Sequence, residues 1–208
     1  MAEEEPVFET TTGPPRIITA ASLFDGHDAA INVMRRLIQS AGAEVIHLGH
    51  DQSAKAVVDC AIQEDAHGVA LTSYQGGHVE YFTYIRQLLD EAGCEHIRIF
   101  GGGGGTITPP EIKTLHESGI SKIYSPDDGR TMGLMGMIHH LMDIASEVDL
   151  IDSDRIASLS GPVTPEDTAK VGLLLTMSES ADDKTFKSTL DKCRSSEKEV
   201  PVIGFTGT

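Results

Sequence analysis

The sequence predicts an α/β fold, a doubly wound parallel sheet with helices on both faces. Two observations carry this. Between residues 16 and 146, short apolar runs alternate five times with stretches in which apolar residues recur at helical spacing. Glycine or proline marks many of the junctions, where a chain reversing direction needs residues that break regular structure.

Ile17–Leu23 reads as the first strand, an almost unbroken apolar run suited to a strand buried on both faces. Ala29–Ala41 reads as a helix with Ile31, Met34, Leu37 and Ile38 on one side, closed by Gly42. Glu44–Leu48 is a short second strand. Ser53–Glu64 is a helix with Ser53 placed to cap it and Val57, Ala61 and Ile62 inward. Gly68–Thr72 is the third strand, and Val79–Ala92 the third helix, stopped by Gly93. Ile97–Phe100 is the fourth strand and leads into five glycines, Gly101–Gly105. Pro109–Ser118 starts with a proline pair and stops at Gly119, Ile120–Tyr124 is the fifth strand, and Gly129–Ala145 the last helix of this unit. Right-handed crossovers and the length of the unit favour the flavodoxin-like (Rossmann-like) five-stranded order 2-1-3-4-5.

Around this unit, residues 1–15 are acidic and then Thr- and Pro-rich, read as a flexible tail. The α/β domain is taken as 16–148. Residues 149–198 read as a linker with short helices: 149–165 is polar and irregular, Ala169–Met177 continues a helix started at Thr164-Pro165, and Asp182–Arg194 is a second amphipathic stretch. The final Val200–Thr208 is an apolar strand running into a Gly-Thr turn. It reads as the opening of a further domain that the chain does not complete.

Composition narrows the function. Thirty-two acidic against sixteen basic residues give a net charge of −16, which argues against a nucleic-acid partner because phosphate backbones demand a basic surface. No eighteen-residue apolar run exists to span a membrane. The acidic Met1–Pro6 is not a secretory leader. Three widely spaced cysteines, Cys60, Cys94 and Cys193, suit a reduced cytoplasmic setting.

In open α/β sheets, ligands bind beyond the carboxyl ends of the strands. Three unusual segments fall there: Asp25-Gly26-His27-Asp28 after strand one, Thr72-Ser73-Tyr74-Gln75-Gly76-Gly77 after strand three, and Gly101–Gly105 after strand four. A histidine on such a rim can reach a ligand. A carboxylate two positions earlier can take its other ring N–H, which fixes the tautomer and strengthens it as a metal donor. Glycines allow close approach to the backbone. Asp28 is also placed to cap the first helix, and His78 to cap or pack at the third. His139-His140 reads as a helix-surface pair. Met132, Met135, Met137 and Met142 read as core or a partner-facing stripe rather than ligands.

These segments resemble the cobalamin-binding domain of the adenosylcobalamin-dependent acyl-CoA mutases, whose pattern is D-x-H-x-x-G, S-x-L and a Gly-Gly pair. Asp25 and His27 match the first, with Ala30 where the family usually has Gly. Thr72 and Tyr74 take the Ser and Leu positions of the second, and the five-glycine run meets the third. The longer string looks most like the fused isobutyryl-CoA mutases, in which a G-protein chaperone domain follows the cobalamin domain and the substrate domain comes last. Gly204-Phe205-Thr206-Gly207-Thr208 looks like the opening of a P-loop at the start of such a GTPase domain (199–208).

The resemblance implies that His27 displaces the cofactor's benzimidazole and ligates cobalt, base-off/His-on, with Asp25 holding the other ring nitrogen. It further implies that the nucleotide tail threads past Thr72, Ser73 and the glycines. Cofactor-binding positions are then Asp25, Gly26, His27, Asp28, Thr72, Ser73, Tyr74, Gly76, Gly101, Gly102 and Gly103, with His27 the metal ligand and no catalytic residue in this chain. Bound adenosylcobalamin supplies a 5′-deoxyadenosyl radical for carbon-skeleton isomerisation of an acyl-CoA, isobutyryl-CoA to n-butyryl-CoA being favoured and a methylmalonyl-CoA-type substrate the variant. The chain alone is expected to bind cofactor without turnover. GTP and Mg belong to the downstream domain, and the parent protein is expected to be a homodimer. Competing readings are a non-enzymatic corrinoid module for methyl transfer or sensing, usually preceded by a helical bundle where residues 1–15 stand here, and a receiver- or flavodoxin-like domain. Thr72-Ser73 lacks the aspartate a receiver wants, and Phe24–His27 lacks a flavodoxin's phosphate loop.

Overall fold

The computed structural model describes residues 6–194; the expected P-loop opening at 199–208 lies outside them. Five parallel strands, β1 (Arg16–Ser22), β2 (Glu44–Gln52), β3 (Gly68–Thr72), β4 (Arg98–Gly102) and β5 (Lys122–Tyr124), form one sheet in the order β2-β1-β3-β4-β5. This is the flavodoxin-like arrangement. Alternate residues face opposite layers. Ile18, Val69, Leu71, Ile99 and Ile123 pack under α2 (Ala54–Gln63), α3 (His78–Glu91) and α4 (Pro109–Glu117). Ile17, Ala70, Phe100 and Tyr124 pack under α1 (Asp28–Ser40) and α5 (Pro126–Ser146). No described helix is long and apolar enough to cross a membrane.

Helix starts follow local chemistry. The Ser53 hydroxyl accepts the N–H of Ala56 and caps α2. Thr108 and Glu111 form a reciprocal capping box on α4, as Ser125 and Asp128 do on α5. Asp28 does not cap α1. The Asp28 N–H bonds to the Gly26 carbonyl, so the cap position falls on His27 and Asp28 stands exposed in the first turn. Its charge there favours the helix dipole.

Two strands run differently from the sequence reading. β2 continues four residues past Leu48 to Gln52 because bulges, with Gly49 at φ 89° and Asp51 at φ 57°, let it follow β1 further. β4 absorbs the first two glycines: Gly101 and Gly102 pair with Leu71 and Thr72, and only from Gly103 does the chain turn into the 3-10 segment Gly104–Thr106. Glycine keeps both backbone partners of a strand, so the run is half ladder and half loop.

The expected tail is docked from Phe8 onward. Phe8 is buried against the α1–α5 layer and against the His139 ring. Thr10 and Thr12 bond His67, whose Nδ1 accepts the Arg16 N–H. Burial, reinforced by Arg16 and Arg155, pushes His67 down to about 4, so the imidazole is neutral and able to accept. His139 and His140 are half-buried rather than a free surface pair, His140 lying 3.1 Å from the Tyr124 hydroxyl.

Residues beyond 149 form three helices, α6 (Ser153–Ser158), α7 (Thr168–Ser180) and α8 (Asp183–Cys193), with a small core of Leu159, Leu173, Met177 and Cys193. α6 lies in the stretch read as irregular; the Asp152 carboxylate caps it by accepting the N–H groups of Asp154 and Arg155. The layer is fastened to α2. A Cβ on Gly172 would stand 3.0 Å from the Ile62 carbonyl, and Arg155 pairs with the buried Asp65 at 2.6 Å. Cys60, Cys94 and Cys193 are free thiols.

Arg155→Ala leaves Asp65 buried without its partner and is expected to destabilise by about 3–5 kcal/mol in denaturant unfolding, with α6–α8 losing protease protection first. Gly103→Ala sets a Cβ onto the Ser73 carbonyl oxygen and is expected to cost at least about 1–3 kcal/mol in the same assay.

Candidate functional site

The carboxyl ends of β1, β3 and β4 bring the three unusual segments together. After β1, the Asp25 N–H bonds to the Ser22 carbonyl, and Phe24 is held at φ 62° with its N–H donated to the Asp51 carboxylate. This turn sinks Asp25 into the protein, 1% exposed, and lifts His27 out, its side chain 71% exposed.

Asp25 is the hub. Oδ1 accepts the His27 backbone N–H at 2.9 Å and faces His27 Nδ1 at 2.8 Å; Oδ2 accepts the Tyr74 N–H at 2.6 Å. Burial would raise the carboxyl, but the Tyr74 N–H, then the backbone and side chain of His27, outweigh it and hold the group below its ordinary value. The carboxylate is therefore ionised and can only accept, so Nδ1 carries the proton. In the neutral ring that leaves Nε2 with its lone pair at the end away from Asp25, the state a metal ligand needs.

Below this rim lies a cavity of about 570 Å³ between α1 and α5. Ala29, Ala30, Val33 and Met34 form one wall, Leu134 and Met137 the other, and Thr72, Tyr74 and Gly101–Gly104 its sheet side. The walls are nearly all apolar. The Thr72 side chain is the exception: its hydroxyl is buried and has no hydrogen-bond partner among the described residues. A buried hydroxyl left unpaired is costly, and a ligand with a polar group at this depth removes the cost.

The expected residues divide by role. Thr72, Tyr74, Gly101, Gly102 and Gly103 line the cavity. Asp25, Gly26 and His27 build the rim. Ser73 braces it from below: its hydroxyl accepts from Ser22 at 2.9 Å and its N–H donates to the Gly102 carbonyl. Asp28 and Gly76 are exposed and off the cavity. The glycines serve packing as well as access. A Cβ on Gly101 would strike Phe82 on the opposite face and stand 2.8 Å from Ile123, while Gly103 fits under Ser73.

The sequence reading missed the α5 side, Tyr124 through Pro126 with Gly129, Leu134 and Met137. Met137, read as core or partner-facing, is a cavity wall. The clue was that Ser125-Pro126 also follows a strand at its carboxyl end. His78 is 3% exposed, bonds the Gln75 carbonyl through Nδ1 and lies 3.3 Å from Glu111 through Nε2, tying the β3 loop to the β4 loop rather than facing the cavity.

Comparison with known proteins identifies the family of the chain. Residues 15–124 match the B12 binding domain family. The chain is 47% identical over 200 residues to the fused isobutyryl-CoA mutase of Geobacillus kaustophilus, covering 93% of this chain and 18% of that protein; it thus spans under a fifth of that relative's length. It is 34% identical over 115 residues to the 2-hydroxyisobutanoyl-CoA mutase small subunit of Aquincola tertiaricarbonis, covering 55% of this chain and 82% of the subunit. Among solved structures, a cobalamin-binding protein from Desulfitobacterium hafniense shares the fold, with a TM-score of 0.52 at 18% identity over 63% of this chain and 59% of that one. With the family profile matched over half its length and the buried Asp25 presenting His27 beside an apolar cavity, this chain belongs to the B12 binding domain family.

Proposed function

We propose that this chain holds adenosylcobalamin base-off, with His27 Nε2 as the lower cobalt ligand and the displaced benzimidazole nucleotide in the α1–α5 cavity. The observation that carries the reading is the 2.8 Å contact of His27 Nδ1 with the buried Asp25 carboxylate, which leaves Nε2 as an exposed donor. The apolar walls suit an aromatic base, and the unpaired Thr72 hydroxyl offers the tail a hydrogen bond. Bound adenosylcobalamin supplies a carbon-centred radical for rearranging an acyl-CoA skeleton. The residues here do no bond-breaking. Asp25 keeps Nδ1 protonated and the ring oriented, Ser22 and Ser73 brace the loop beneath, and the glycines keep the floor open.

Within a longer parent protein, the reaction is proposed to be isobutyryl-CoA to n-butyryl-CoA isomerisation, by likeness to the fused isobutyryl-CoA mutase. The acyl-CoA-binding domain, a GTP- and Mg-dependent G-protein domain and a homodimeric, cytoplasmic assembly complete that proposal. The cofactor-binding residues proposed are Asp25, Gly26, His27, Thr72, Ser73, Tyr74 and Gly101–Gly103. Asp28 and Gly76 fall away from the cavity and have no assigned contact.

Titration of the chain with adenosylcobalamin, followed by visible absorption, is expected to give a base-off, imidazole-ligated spectrum that His27→Ala abolishes. An unchanged spectrum in His27→Ala overturns the ligand assignment. Asp25→Asn keeps the shape but removes the charge that polarises Nδ1–H, and cofactor affinity is expected to fall roughly 10- to 100-fold. Asp25 also makes stability depend on pH. Its folded carboxyl titrates below the reference 3.8, so its contribution is complete above that value and disappears as pH falls through the folded pKa. The stability gap between native chain and Asp25→Asn, read from denaturant midpoints, is expected to stay flat above about pH 5 and close progressively in more acidic buffer.

A further inference from the structure

Asp25 anchors the His27 ring at Nδ1, an edge contact that leaves both faces of the ring able to rock about it. With the side chain 71% exposed, packing against a face is what limits that rocking when the imidazole meets a metal. The ring of Tyr74 is placed to do so. Its centroid lies 5.3 Å from that of His27 at an interplanar angle of 42°, within the range of favourable tilted aromatic pairs. The Tyr74 backbone is tied by its N–H to Asp25 Oδ2, and the Gly104 backbone runs close beside the ring, a Cβ there standing 3.2 Å from Cε1. The same ring lines the α1–α5 cavity. It is thus a shared wall, with the His27 imidazole on one side and the α1–α5 cavity on the other.

We infer that Tyr74 is the positioning residue for His27 and couples occupancy of the cavity to the orientation of the metal-binding imidazole. The inference rests on the cobalamin reading given above. A tail seated in the cavity presses the Tyr74 ring toward His27 and narrows its range of planes; an empty cavity leaves the ring room to retreat. A ligand that carries the tail should therefore gain more from Tyr74 than one that lacks it.

The test uses the 208-residue chain with two probes, adenosylcobalamin and adenosylcobinamide, which has no nucleotide tail. Native chain, Tyr74→Phe, Tyr74→Leu and Tyr74→Met are compared, with circular dichroism confirming folding. The readouts are the imidazole-ligated fraction by visible absorption and, after photolysis to the cobalt(II) form, the nitrogen splitting in electron paramagnetic resonance. Tyr74→Phe keeps the ring and is expected to match the native chain. Tyr74→Leu is expected to lower imidazole ligation of the tailed probe about three- to tenfold and to broaden the nitrogen splitting, with a smaller change for the tail-less probe. Tyr74→Met replaces the ring with a flexible side chain and should behave like Tyr74→Leu, so the inference stays testable if one of them does not fold. Native-like ligation and sharp splitting in either folded variant overturn it, as does an equal loss for both probes. A native chain that binds the tailed probe without an imidazole signal that His27→Ala removes overturns His27 as the cobalt ligand, and the inference with it; a native chain that binds neither probe overturns the cobalamin proposal and the inference together.

Discussion

The candidate site depends on one buried carboxylate. Asp25 is 1% exposed yet charged, and it remains so because donors from two loops converge on it: the His27 backbone and ring on Oδ1, and the Tyr74 N–H on Oδ2. A charge removed from water must be paired or hydrogen-bonded. Satisfying this one ties the loop after β1 to the loop after β3 and dictates which nitrogen of His27 is left for a ligand. The Asp51 contact at Phe24 and the Ser22–Ser73 pair extend the same bracing to the edge strand and to the floor beneath.

The second constraint is steric. Gly101 and Gly103 are each confined from a different side, by Phe82 and by the Ser73 carbonyl. Close packing there lets the β3 and β4 loops touch, through the Ser73 N–H and the Gly102 carbonyl, directly beside the cavity. Access for a bulky ligand and tight internal packing thus draw on the same missing side chains. A glycine in this run cannot be assigned to one purpose alone.

The C-terminal helices are held by a different kind of contact. Asp65, in a left-handed turn at φ 47°, receives Arg155 from α6, while Gly172 lets α7 approach the end of α2. This junction lies at the opposite end of the strands from His27, beside His67 and the docked residues after Val7. A charged pair that is largely buried fixes orientation because its alternatives leave an uncompensated charge.

How much the sequence disclosed depended on the range of the interaction. The five strand–helix units, the cap at Ser53, the proline start of α4, the sheet order and the placing of Asp25, His27 and Thr72 at one rim all follow from periodicity, turn chemistry and handedness. Those are local or topological properties that a linear string carries. What needed the folded chain was long-range. Gly101 and Gly102 become strand because Leu71 and Thr72 offer them partners; Phe8 docks because α5 presents an apolar surface; Met137 is a wall because α1 stands opposite it. The cap of α1 fell to His27 rather than Asp28 because Gly26 supplies the carbonyl that bonds the Asp28 N–H. Motif spacing could name the histidine and its carboxylate. Only tertiary contact could show that Tyr74 shares the ring's other side and that the cavity is closed by α5. Residue pairs distant in sequence leave no periodic signature, and their geometry exists only once the layers have packed.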